Sequence, residues 1–91
     1  MSNSYQNLSD FYQNNPPQNT IRECIIVDYK ANNKIFELFL IDCETQKICN
    51  QNAFTSHVRI ATETEPGEDL IGLKTKWKFN DNNWNIINID N

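Results

Sequence analysis

The sequence predicts an all-β domain: a small antiparallel β-barrel or rolled sheet of about six strands, of SH3-like or OB-like size, with a short N-terminal helix. Three observations carry this. Apolar and polar residues alternate at period two through most of residues 20–90. β-branched and aromatic residues fill the alternating stretches, and polar turn residues separate them. Ninety-one residues at 38% hydrophobic and 22% charged leave room for one modest core and no separate catalytic domain.

Residues 1–19 form a first segment, a short helix or a disordered tail that runs up to Pro16-Pro17. Paired prolines exclude helix and impose an extended connection. Ahead of them Tyr5, Leu8, Phe11 and Tyr12 fall at i, i+3, i+6 and i+7, one stripe of a helix over about residues 4–14 that Ser4 caps. An isolated helix of that length needs a surface to dock on, its own domain or a partner. These four residues are therefore candidate partner-binding residues.

Residues 20–91 form the single β domain. In TIRECIIVDYK, Ile21, Ile25, Val27 and Tyr29 share one face, and Arg22, Cys24, Ile26 and Asp28 the other. Ala31-Asn32-Asn33 makes the turn. KIFELFLID is apolar on both faces, Phe36, Leu38 and Leu40 against Ile35, Phe39 and Ile41, which marks a strand covered on both sides. The aromatic N-terminal segment is the nearest cover for the second face; a homodimer across the 34–42 strand is equally compatible. Residues 41–48 read as a hairpin, 51–56 as irregular or a brief turn, and 57–62 (HVRIAT) as a further strand. Pro66-Gly67 suits a type II turn. The last two strands, about 71–79 and 84–90, join through residues 80–83.

The terminal hairpin contains LKTKWKFNDNNW, where lysines alternate with aromatics. A two-residue turn at Asp81-Asn82 pairs Phe79 with Trp84 and Trp77 with Ile86, gathering the large rings on one face as core. Lys74, Lys76 and Lys78 then occupy the opposite face. In an OB-like single-strand nucleic-acid binder, exposed rings of Trp77 and Trp84 would stack bases while those lysines follow phosphates. Alternation separates charges from rings, so that function requires exposed tryptophans.

Net charge is −4, which disfavours general polyanion binding. The N-terminus lacks a basic n-region and an apolar h-region, and no apolar run approaches the about 18 residues of a membrane span. A soluble cytoplasmic protein without membrane contact is expected. Three cysteines, Cys24, Cys43 and Cys49, read as reduced packed thiols. With His57 they make only a weak zinc set, because no Cys-x2–4-Cys pair is present. No metal or other cofactor is expected. Nucleophile, phosphate-loop, dinucleotide and calcium motifs are absent, which argues against an enzyme.

Glu63, Glu65, Glu68 and Asp69 form an acidic cluster suited to orienting a basic partner. The expected function is a non-enzymatic protein-binding module: an adaptor, accessory subunit or inhibitor, with a protein partner or self-association. The alternatives are single-stranded nucleic-acid binding through the 73–84 hairpin and acidic mimicry of nucleic acid by an inhibitor.

Overall fold

The computed structural model describes residues 16–88. Five strands and one helix follow in the order β1 (Ile21–Asn32), β2 (Ile35–Asp42), β3 (Ile48–Phe54), α1 (Thr55–Thr62), β4 (Lys74–Asn80) and β5 (Asn83–Ile87). The helix expected over residues 4–14 lies outside the described residues. All pairings are antiparallel, in the spatial order β3-β2-β1-β4-β5. The expected barrel is corrected to one open sheet: among the described residues, β3 and β5 remain its two edges. Five strands replace the expected six.

The difference lies at residues 55–62. HVRIAT alternates well enough to suggest a strand, but the residues it buries are Val58 and Ala61, three apart, which is helical spacing. Ile60, the residue that made the alternation convincing, is 64% exposed. The Thr62 hydroxyl donates back to the Val58 carbonyl at 2.7 Å, the i−4 bond a β-branched hydroxyl residue can make on a helix. Glu63 ends the helix in the left-handed region, at φ 57°. Residues 51–54, expected to be irregular, instead complete β3. There Gln51 faces Leu38 and Ala53 faces Phe36.

β1 organises the sheet by pairing with β4 through residues 21–25 and with β2 through residues 24–32. A bulge between Ile26 and Asp28 shifts its alternation. Ahead of it, Ile21 and Ile25 lie on the face away from the core. Cys24 and Ile26 are buried instead, and Tyr29 joins them after the extra residue. At the bulge, the Ile26 amide donates to the Leu73 carbonyl at 3.0 Å and the Gly72 amide to the Ile26 carbonyl at 2.7 Å. Those bonds fix the returning chain between α1 and β4.

The turns follow their local chemistry. Asp81 (φ 53°) and Asn82 (φ 62°) both adopt positive φ, as a two-residue type I′ hairpin requires. The expected pairs Phe79 with Trp84 and Trp77 with Ile86 form. Pro66 precedes Gly67 at φ 95°, and the Glu68 amide donates to the Glu65 carbonyl at 3.1 Å, closing the type II turn. At the β2–β3 connection, Asp42 is buried and one carboxylate oxygen accepts from the Glu44 and Thr45 amides at 2.7 and 2.9 Å.

One core forms on the inner face, where Ile26, Leu38, Leu40, Trp77, Phe79 and Trp84 pack with Val58 of α1 and Leu70 of the following loop. Trp77 is 0% exposed, and its indole Nε1 donates to the Thr75 hydroxyl at 2.8 Å. That hydroxyl donates in turn to the Cys24 carbonyl at 3.0 Å. A large ring is thus buried with its polar handle satisfied. Phe79 and Trp84 meet edge to face at 5.3 Å.

Candidate interaction surface

Since α1 and the core occupy the inner face, the outer face consists of the alternate residues. The register aligns Ile48, Ile41, Ile25 and Lys74 as one row across β3, β2, β1 and β4. Phe39 adjoins this row on β2, with Lys30 Nζ 5.9 Å from its ring centroid. Ile25, Phe39 and Ile41 are half-buried, while Ile48 on the edge strand is 39% exposed, and Ile21 and Ile35 are also exposed. Phe54, opposite Ile35, is 56% exposed. Single exposed apolar residues are ordinary, but a contiguous group rimmed by charge is the usual form of a docking surface.

The rim is polar and ionic. Lys78, Lys76 and Lys74 lie opposite Ile21, Glu23 and Ile25, all on the outer face. Lys74 Nζ approaches Glu23 Oε1 at 3.7 Å, and Asn50 Nδ2 donates to Glu37 Oε2 at 3.0 Å. The pairing of Lys74 with Glu23 is solvent-exposed and worth little to stability. The terminal hairpin thus places its lysines outward, beside Ile21, Glu23 and Ile25 of β1, and its rings inward. Trp84 is 5% exposed, and a base stacking on Trp77 or Trp84 would have to draw the ring out of the core.

The other candidate residues are dispersed. Tyr5, Leu8, Phe11 and Tyr12 lie outside the described residues. Glu63, Glu65, Glu68 and Asp69 occupy the loop after α1, which two of their carboxylates help to build. Glu68 Oε1 accepts from the Glu65 amide at 2.9 Å, and Asp69 Oδ1 accepts from the Ile71 amide at 3.1 Å and the Tyr29 hydroxyl at 3.3 Å. Arg59 braces the same loop by donating to the Thr64 hydroxyl and the Glu68 carbonyl.

The three cysteines are free thiols. Cys24 and Cys49 are both buried; the neighbouring Cys49 thiol, then burial, push the Cys24 thiol well above its ordinary range. A protonated, enclosed thiol is a poor nucleophile. His57 packs on Phe54 at 5.2 Å, at the opposite end of β3 from Cys49. Among the described residues no three His, Cys, Asp or Glu side chains are grouped as metal ligands.

The two halves of the outer patch differ in how visible they are along the chain. Phe39 and Ile41 stand out in β2, whose two faces are both apolar. Ile25 was legible only as an alternating residue and Ile48 only as the end of a hairpin, and their place in the row depends on strand order. No protein-family model, curated protein or solved structure matches this chain.

Proposed function

We propose that this chain is a non-enzymatic protein-binding module, an adaptor, accessory subunit or inhibitor, that docks through the outer face of its sheet. The observation that carries this reading is the contiguous apolar row Ile25, Ile41 and Ile48 with Phe39 beside it, on the face opposite the core and rimmed by Lys30, Glu37 and Lys74. An apolar centre with a charged rim suits protein association, and the net charge of −4 adds a long-range preference against polyanions. Of the two expected barrel classes, the central first strand and the helix between β3 and β4 favour an OB-like over an SH3-like arrangement. Ile48→Glu tests the surface, because the side chain is exposed and its loss leaves the core untouched. Affinity capture from source extract should recover a stoichiometric protein with the wild-type chain and lose it with Ile48→Glu, at unchanged far-UV circular dichroism. Repeated recovery of the wild-type chain alone would count against the proposal.

One observation favours a second reading, single-stranded nucleic-acid binding: Lys30, Lys74, Lys76 and Lys78 all belong to the outer face, and Phe39 is an aromatic neighbour of Lys30 there. The buried tryptophans would then be scaffold and the lysines the contact. Anisotropy of a labelled mixed-sequence oligonucleotide at low salt separates the two readings. Binding that weakens steeply with salt supports the nucleic acid; no binding at protein concentrations up to about 100 μM removes it.

A further inference from the structure

The described elements supply no layer over the outer row, since α1, the one helix among the described residues, packs on the inner face. The outer face is nevertheless not bare. Phe39 and Lys76 each engage a partner besides those named above.

Where the described chain starts narrows what can reach this face. The Thr20 amide donates to the Pro17 carbonyl at 3.1 Å, the Asn19 amide to the Phe79 carbonyl at 2.8 Å and the Asp81 amide to Gln18 Oε1 at 3.2 Å. This turn pins the chain to the end of β4 and reverses its direction beside Ile21, which is exposed on the outer face opposite Lys78. In the sequence before it, Tyr5, Leu8, Phe11 and Tyr12 make one helical stripe, and Asp10, the only charged side chain of residues 1–15, falls on the opposite side. A helix over residues 4–14 is about 16 Å long. The outer-face path from Ile21 to Ile41, along β1 to Ile25 and one strand across, is about 14 Å. The other surface beside Ile21 is lined by Arg22, Glu23, Asp42 and Glu44, where apolar rings would strip water from ions without compensation.

We propose that residues 4–14 pack as a helix on the outer face of their own sheet, antiparallel to β1, with Phe11 and Tyr12 against Ile21 and Ile25 and with Tyr5 and Leu8 against Ile41 and Phe39. Burial of the stripe supplies the stability that a helix of this length lacks alone. The cover also governs access, a consequence that rests on the docking function proposed above. A partner reaches Ile25 and Ile41 only by displacing the segment, and a cover in place on about nine molecules in ten weakens its apparent affinity about tenfold.

Nuclear Overhauser contacts to the isoleucine δ1 methyls of the full-length chain test the placement. The Tyr5 ring should contact the Ile41 methyl and the Phe11 ring the Ile25 methyl. Leu8→Asp combined with Phe11→Asp should remove the Tyr5 contact, while the indole resonances of Trp77 and Trp84, inside the core, stay unshifted. The same double variant should bind the apolar anionic dye 1-anilinonaphthalene-8-sulfonate about tenfold more tightly, the factor by which the cover holds the face closed. Three results overturn the proposal: no ring contact to Ile25 or Ile41, dye binding unchanged by the double substitution, or ring contacts to Ile86 instead. The last would put the segment in the cleft between residues 51–54 of β3 and 83–86 of β5. Methyl contacts as expected, with no protein captured from source extract by either chain, support the placement and refute the docking function alone.

Discussion

The chain of hydrogen bonds from Trp77 through Thr75 to Cys24 permits a quantitative test of how the core is held. Thr75→Val keeps the shape of the side chain and removes its hydroxyl. The Cys24 carbonyl loses one bond, and the Trp77 indole N–H is left in a fully buried site without its acceptor. A neutral hydrogen bond contributes about 1 kcal/mol net and an orphaned buried donor costs about 1–3 kcal/mol, so the substitution should cost about 2–4 kcal/mol. A domain of this length has about 5–14 kcal/mol in total, so the loss is a large fraction, equivalent to roughly 10–30 °C in Tm. Trp77→Phe removes the donor, and in the double variant the orphan penalty vanishes. The double variant should therefore be less destabilised than the sum of the single variants by about 1–3 kcal/mol. Urea denaturation followed by far-UV circular dichroism measures all three, and Thr75→Ser, which keeps the hydroxyl, controls for packing. Additivity within about 0.5 kcal/mol would refute the reasoning, since it would mean the indole N–H is indifferent to Thr75.

Two further outcomes follow from the turns and the thiols. Asn82 holds φ 62° in a type I′ turn, where glycine carries no Cβ penalty, so Asn82→Gly should raise the unfolding free energy measured in urea by about 0.5 kcal/mol, and Asn82→Val should lower it by more than that. Because the folded Cys24 pKa is raised above the reference 9.0, only the unfolded thiol ionises as pH rises through 9.0. The stability this group contributes is complete below pH 9.0 and declines above it, so the fall in urea midpoint between pH 8 and 10 should be shallower in Cys24→Ala than in the wild-type chain.

The strands whose identity was legible are those in which local pattern and tertiary environment agree. β2 reads as apolar on both sides, and the last hairpin announces its register through Asp81-Asn82 and the alternation around it. Residues 57–62 were misread because β-branched residues obscure a helix of only two turns, and the decisive spacing rests on just two residues, Val58 and Ala61. Helix propensity is a weak prior that packing overrides, and here α1 exists because it covers the inner face of the sheet. In β1 the face expected to hold Ile21, Ile25, Val27 and Tyr29 together breaks before Tyr29, because a bulge leaves no mark in composition and carries every later residue onto the other face.

By itself, then, the sequence determined local matters: an all-β chain with one small core, the tight turns at Pro66-Gly67 and Asp81-Asn82, and the separation of lysines from tryptophans in the terminal hairpin. Each of these depends on side-chain chemistry within a few residues. The turn expected at Ala31-Asn32-Asn33, by contrast, falls at residues 33–34, because Ala31 and Asn32 pair with Phe36 and Ile35. Tertiary structure alone decided that β1 sits centrally, that the sheet stays open, that isoleucines from three strands meet in one outer row, and that β3 and β5 confront each other across a cleft. Those facts depend on which strands become neighbours. Strand order is set by burial summed over the whole chain, and no short stretch of residues records it.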